Sequence, residues 1–319
     1  MYGAGPVERS KVEFGIYVPQ IGFTYDEIRA RAQLCEELGF HSIWFFDHLY
    51  GPELPQQPSF EAWTLTTSVL AHTSRLRAGQ LVLSNTFRHP VLLAKMASSL
   101  DVISGGRLEL GIGSGSYPAE HERAGIPWAS LRERSAQLEE ALAVVSGMFD
   151  NDSTTFDGAH YRVRDMPNLP KPVQRPRPPI HVGGAGERLT LPIVARYADV
   201  WNCPTYALGD FDAKLAALGR HCAAIGRDPA SIRISHEAVL VLAESASELE
   251  DAMRLANRRF GGPGWGLTEG GYTGTPDVVV ERIRAQVERG ITFFVFFTHD
   301  RADPATLRRF AEHVMPAFG

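Results

Sequence analysis

The sequence predicts an α/β fold: a (β/α)8 TIM barrel forming one domain over residues 1–319, with insertion loops at its C-terminal face. Short apolar runs rich in β-branched and aromatic residues alternate with longer runs of helical periodicity. Eight such units fit into 319 residues, a length at which a parallel sheet closes on itself with its helices outside. An open dinucleotide-binding sheet would carry G-x-G-x-x-G after the first strand, and Val18-Pro19-Gln20-Ile21-Gly22 does not match it.

The predicted elements follow in order. The first strand is Lys11–Val18 and the first helix Tyr25–Leu38, stopped at Gly39, where left-handed geometry is easily tolerated. His41–Phe46 is the second strand, followed by a helix from about Phe60 to His72. Leu76–Leu83 and Val91–Ile103 are the third pair. The turn Gly105-Gly106 leads into a fourth strand, Arg107–Ile112, and a helix over Leu131–Phe149 closes the first half. Pro167, Pro170, Pro172, Pro176, Pro178 and Pro179 crowd residues 150–179, which read as a proline-rich insertion with an extended surface course. Alternation then resumes with strand Ile180–Val182, helix Glu187–Tyr197, strand Ala198–Trp201, helix Phe211–Ile225, strand Ile232–Leu242 and helix Ala246–Arg258. A glycine-rich loop, Gly261–Gly274, precedes helix Pro276–Arg289, the last strand Ile291–Phe296 and the last helix Pro304–Met315.

Composition excludes several classes. A net charge of −5 gives no reason to expect nucleic acid or an anionic membrane as partner. Cys35, Cys203 and Cys222 are too few and too scattered for a disulfide framework or a cysteine-rich metal site. His121-Glu122 lacks a second histidine four residues on, so no metal is expected. No apolar stretch reaches membrane-spanning length, and Met1–Ser10 lacks the apolar core of a signal peptide, so a cytoplasmic location is expected.

In this fold, chemistry sits on the loops that follow the strands. The second strand runs into Asp47-His48, and a histidine there could move a proton near neutral pH; Asp47 could equally cap a turn and His48 be merely exposed. The third ends in Ser84-Asn85, able to hydrogen-bond a planar heterocycle, and Arg88 suits either a ligand anion or a salt bridge on the rim. The fourth feeds Gly113-Ser114-Gly115, where a ligand could approach the backbone closely, although a tight turn needs the same glycines. The fifth feeds Gly183-Gly184-Ala185-Gly186 ahead of a helix predicted from Glu187, a place where unpaired N–H groups favour a phosphate. Trp201-Asn202 could border the same site, and Tyr50–Ser59, Asp150–Pro179 and Phe260–Thr275 are expected to shape an apolar or amphipathic substrate cleft.

Ser42-Ile43-Trp44-Phe45-Phe46-Asp47-His48, Phe87-Arg88-His89-Pro90 and Gly105-Gly106-Arg107 with Leu110-Gly111-Ile112-Gly113-Ser114-Gly115 resemble the bacterial luciferase-like monooxygenase superfamily. Pro179 to Arg188, with Val194-Ala195-Arg196-Tyr197-Ala198-Asp199, resembles its actinobacterial branch that uses coenzyme F420, and the likeness extends over nearly the whole chain. The resemblance implies a deazaflavin ring in the barrel mouth, supported by a bulge near Leu81-Val82 that often carries a cis peptide. It implies ring contact for Ser84, a phosphate loop at Gly183, Gly184 and Gly186, and a homodimer. Members that oxidise glucose 6-phosphate carry Glu directly after the strand-four Gly-x-Gly; Ser116 stands there, which speaks against that substrate.

The reaction implied is hydride transfer between coenzyme F420 and an activated C=C, C=N or C=O group of a small organic substrate, in either direction. His48 is the first choice for general acid or base, with Asp47 orienting it; Glu120 and His121 rank lower. One alternative keeps the fold and uses FMN, with a separate cofactor reductase, to activate oxygen. The other is a barrel that binds a small ligand without turnover, against which Asp47, His48 and both glycine loops speak.

Overall fold

Short strands with β-branched and aromatic residues alternate with capped helices, and the chain closes them into a ring. The computed structural model describes residues 11–262 and 265–319; the leader reading of residues 1–10 lies outside the described residues. The strands are β1 (Glu13–Tyr17), β2 (Ser42–Phe45), β3 (Arg77–Ser84), β4 (Leu108–Gly113), β5 (Ser153–Asp157), β6 (Arg162–Pro167), β7 (Ile180–Gly183), β8 (Val200–Pro204), β9 (Arg233–Leu242), β10 (Tyr272–Gly274) and β11 (Phe293–Thr298). β1, β2, β3, β4, β7, β8, β9 and β11 pair in parallel, and β1 against β11 closes the barrel. β10 adds a short parallel pairing to β9. All eight barrel strands overlap their predicted ranges, although β8 runs three residues beyond the predicted end at Trp201.

The helices show the expected end chemistry. Thr24 and Glu27 form a capping box on helix Tyr25–Glu37. His89 caps helix Pro90–Ser104, with Pro90 at its first position, and Gly105 ends it at φ 67°. No helix among the described residues is long and apolar enough to cross a membrane.

Two expectations change. The 150–179 insertion is not simply extended: β5 and β6 form an antiparallel hairpin, whose turn is held by Glu140 accepting from the N–H groups of Ala159, His160 and Tyr161. The proline run beyond it passes along helix Pro90–Ser104 to the N-terminal end of the barrel, where Gln174 bonds Asp101 and Arg77. The helix predicted from Glu187 begins at Thr190, after a turn.

The strand pleat sends alternate residues inward. Tyr17, Trp44, Leu81, Val239, Val241, Phe293, Val295 and Phe297 pack together inside the barrel. One interruption shapes the mouth. The Leu81-Val82 peptide is cis, and the β3–β4 register shifts between Gln80 and Leu83. Val82 thereby projects against three glycines on the neighbouring strands: a Cβ on Gly113 would sit 2.8 Å from Val82 Cγ2, and one on Gly183 3.1 Å from Cγ1. A Cβ on Gly111 would overlap the Gln80 carbonyl oxygen.

The barrel floor is polar. Glu109 receives Arg77 and His181, the latter at 2.6 Å, and Glu13 receives Arg233 and His41. Burial opposes the Glu109 charge, yet the His181 hydrogen bond and the Arg77 guanidinium outweigh it and bring the carboxyl down to about 2. A carboxyl lowered in the folded state contributes stability above its unfolded pKa and loses it as pH falls toward the folded value. Glu109→Gln is therefore expected to cost about 3 kcal/mol at neutral pH. Chemical denaturation should also show a flatter acid profile between about pH 4.5 and about pH 2 than in the native protein.

Candidate active site at the C-terminal mouth

Asp47 and His48 leave β2 in succession, and extended backbone turns them to different neighbours. Asp47 lies against the end of β3: its carboxylate accepts the Ser84 N–H at 2.8 Å and a two-pronged contact from Arg88 at 2.7 and 2.9 Å. Arg88 also reaches Glu61 at 2.6 Å. The rim salt bridge is thus the role Arg88 takes. Burial works against the Asp47 charge and raises its pKa, while the Arg88 fork and the Ser84 N–H hold the charge in place.

His48 does not use Asp47. Its Nδ1 lies 3.0 Å from Glu120 Oε1, and Glu120 Oε2 accepts the Leu49 N–H at 2.8 Å. Asp47 as the group that orients His48 is therefore corrected to Glu120, which comes from helix Pro118–Ala124 and is 1% exposed. A carboxylate only accepts, so Nδ1 carries a proton and Nε2 is the nitrogen left to exchange one. Among the described residues Nε2 has no protein partner.

Ser84 heads a chain of hydroxyls. Its Oγ is 2.6 Å from Thr86 Oγ1, which is 2.6 Å from His121 Nε2. His121 Nδ1 donates to the Tyr117 carbonyl at 2.9 Å, so the neutral ring accepts from Thr86, and Thr86 accepts from Ser84. The His121 ring is stacked on Phe87 and tilted against Trp128. Glu120 and His121 both come from the short helix that follows β4.

The glycine loops divide their roles. Gly113 makes room for Val82, so its closest neighbour is the protein itself. Ser114 accepts Arg134 at its carbonyl, and Gly115 turns at φ 85° beneath Ser84 and Trp128. Gly184, at φ 112°, presents its carbonyl to the Trp201 indole N–H at 2.8 Å. Gly186 accepts from Thr190 and Leu191, and the N–H groups of residues 185–189 have no protein acceptor among the described residues. Ala185 is buried and Arg188 is exposed. His89 is a helix cap, its ring accepting the Val91 N–H.

Sequence reading missed Glu237. It lies on β9 with inward parity and is, with Arg233 at the floor, one of two positions of that strand that are not fully buried. Asn202 Nδ2 donates to it at 2.8 Å, and Asn202 Oδ1 accepts from Ser235. Burial pushes its carboxyl up to about 7. Tyr17, on the inner face of β1, is held a neutral phenol by burial and by the nearby charges of Glu237 and Asp47. The available signal was an acid standing directly before the apolar run Ala238-Val239-Leu240-Val241-Leu242 of a predicted barrel strand. Of the Phe260–Thr275 loop, residues 263–264 lie outside the described residues; Phe260 and Trp265 pack on Phe297 at the mouth.

The open positions Val82, Ser84, Gly183, Gly184, Pro204 and His48 lie at or near C-terminal strand ends, where barrel chemistry is found, and Glu237, in the middle of β9, stands in register with Pro204 at the end of β8. A separate cavity of about 340 Å³ at the opposite end is lined by Glu13, His41, Arg77 and Glu109, polar groups that pair with one another or with their neighbours.

The profile of the family described as luciferase-like monooxygenase matches residues 9–292, and the chain belongs to that family. The F420-dependent glucose-6-phosphate dehydrogenase of Beutenbergia cavernae is 28% identical over 92% of this chain and 94% of its own length. The FMNH(2)-dependent dimethylsulfone monooxygenase of Pseudomonas putida is 29% identical over 59% of this chain and 54% of its own. An F420-dependent secondary alcohol dehydrogenase, solved with an F420–acetone adduct, superimposes with a TM-score of 0.81 at 18% identity, over 97% of this chain and 99% of that one, and shares the barrel.

The Asp47–Arg88 pair ties the ends of β2 and β3 together. Arg88→Met leaves a buried carboxylate without its cation and is expected to cost about 3–5 kcal/mol in denaturant unfolding. Adding Asp47→Asn should recover a large part of that loss, because the stranded charge is removed.

Proposed function

We propose that the protein is an F420-dependent oxidoreductase that moves a hydride between coenzyme F420 and a small organic substrate. The observation that carries the reading is the Leu81-Val82 bulge, cupped by Gly111, Gly113 and Gly183 beneath a mouth lined by Ser84, His48 and Glu237. The near full-length likeness to an F420-dependent dehydrogenase supports the cofactor.

The residues fit such a group on three counts. Val82 and Ser84 are the C-terminal positions of β3 that open to the mouth, suited to a flat ring. The unclaimed N–H groups of 185–189, before helix Thr190–Tyr197, suit a phosphate, with Gly183, Gly184, Ala185 and Gly186 shaping that loop. The inner wall of Tyr17, Phe46 and Phe297 excludes water. Bound there, a reduced deazaflavin supplies a hydride, and the protein supplies position, a dry wall and the proton.

His48 Nε2 is the proton-exchanging atom on the β2 side. Glu120 fixes the ring and its tautomer from behind. Asp47 acts by position: it holds the Ser84 amide and Arg88, and so the end of the bulged strand. Ser84 commits its own proton to Thr86, which leaves its oxygen as an acceptor toward the mouth. A cytoplasmic location and a homodimer belong to the same reading, and three buried free thiols agree with a reducing compartment.

FMN is the second reading, favoured by the likeness to the Pseudomonas putida monooxygenase, and it would bring a separate reductase. Parallel fluorescence titration of the cofactor-free protein with oxidised F420 and with FMN separates the two. Tighter F420 binding is expected; preference for FMN would replace the reading, and binding of neither would remove it. His48→Asn should lower kcat by about 10²–10⁴-fold with cofactor affinity retained. Glu120→Gln should lower it less, since the ring loses its anchor and keeps its exchanging nitrogen.

A further inference from the structure

Besides His48 after β2, the mouth holds a second group able to carry a proton, Glu237, three strands round the barrel. Glu237 stands on β9, whose other inward residues at this end are Val239 and Val241. Tyr17 on β1, Cys203 on β8 and Tyr206 in the following 3-10 turn feel its field, and each is neutral in its ordinary form. Val295 faces it from β11. Asn202 is its side-chain partner, through Oε2. No Lys, Arg or His among the described residues bonds to it or forms an ion pair with it.

Four of the cations around the mouth are committed elsewhere, and Arg188 is exposed on the loop after β7. Arg88 is held by Asp47 and Glu61. Lys214 is held by Glu187, and Arg259 by the His299 carbonyl. Arg301 lies over Phe23. A carboxyl that opens into an aromatic space with no cation beside it repels anions, attracts cations and donates to neutral acceptors when protonated.

We infer that Glu237 is the group that exchanges the proton with the substrate's oxygen or nitrogen, beside His48 as the second proton-exchanging group of the mouth, and that this substrate is an uncharged or cationic carbonyl or imine compound, or the matching alcohol or amine, and not a phosphorylated or carboxylated one. The inference rests on the hydride-transfer reading and deepens it. In the reducing direction, the substrate carbon gains a hydride, with its two electrons, from the reduced deazaflavin. The C=O or C=N π bond breaks, and its electron pair on oxygen or nitrogen takes the proton of the Glu237 carboxyl. The carboxylate left behind regains a proton from solvent. In the oxidising direction, Glu237 begins as the carboxylate and accepts the hydroxyl or ammonium proton. Burial has already brought this carboxyl to about 7, where both forms are populated at neutral pH.

Two measurements test this without turnover. Carboxyl ¹³C NMR of Glu-labelled protein should show one signal titrating near neutrality, missing in Glu237→Gln; if that signal titrates in the ordinary carboxylate range, the proton role is overturned. Calorimetry on the F420-loaded protein at pH 8 then compares benzylammonium with benzoate and glucose 6-phosphate. Benzylammonium should bind at least tenfold tighter than either anion, and Glu237→Gln should erase that preference. Equal or tighter binding of the anions to the native protein would overturn the substrate class. Turnover with a responsive alcohol or amine should fall at least 100-fold in Glu237→Gln, recover in part in Glu237→Asp, and lose the ionisation near neutrality from its kcat profile. F420 affinity should be unchanged in both variants; loss of it would place Glu237 at the cofactor and overturn the inference. If the native protein fails to take up F420, the hydride-transfer reading falls, while the NMR titration still reports on Glu237 itself.

Discussion

The mouth of this barrel depends on one act of accommodation: β3 carries an extra residue at Val82, and its neighbours have given up their side chains to receive it. Gly111, Gly113 and Gly183 lie where a Cβ would meet Val82 or the Gln80 carbonyl. A parallel barrel tolerates such a bulge only where adjoining strands leave room, because its interior is otherwise filled by side chains in close contact. The slip changes what the end of β3 presents. Val82 is turned inward, Ser84 reaches the rim, and the Ser84 N–H is aimed at Asp47.

Around that bulge the polar groups fall into three separate sets. Asp47, Arg88 and Glu61 are a buried-to-rim ion cluster that fixes the ends of β2 and β3. Ser84, Thr86 and His121 are a relay of neutral donors whose direction is set by the Tyr117 carbonyl. His48 with Glu120, and Glu237 with Asn202, are the two pairs left with an atom for outside chemistry. The separation has an electrostatic basis: Asp47 spends its charge on Arg88 and on the Ser84 N–H, and makes no bond to His48.

The two ends of the barrel contrast. At the floor, opposite charges neutralise one another: Glu109 with Arg77, and Glu13 with Arg233. At the mouth Glu237 has no counterion among the described residues. Paired charges serve stability, whereas a lone carboxyl in an apolar wall stores a proton at neutral pH.

Much of the fold was legible in the sequence, because strand and helix periodicities, caps and turns are local properties. The eight barrel strands and the end of the first helix at Gly39 follow from neighbours a few residues apart. The β5–β6 hairpin was not legible: its short strands are mostly solvent-exposed and lack a clean apolar alternation, and the prolines beside them dominate the reading. At the site, the sequence determined which residue types stand at the strand ends, Asp47, His48, Ser84 and the glycine loops, and the resemblance placed the bulge at Leu81-Val82. Only the tertiary structure decided who partners whom. Asp47 and His48 are adjacent in sequence, yet extended backbone points them apart, and partners 41 and 72 residues away claim them. The glycines read equally as ligand approach or packing until Val82 occupied their space. Glu237 became visible only when closure turned its face inward, because burial and the absence of a counterion are properties of the assembled barrel and not of the chain.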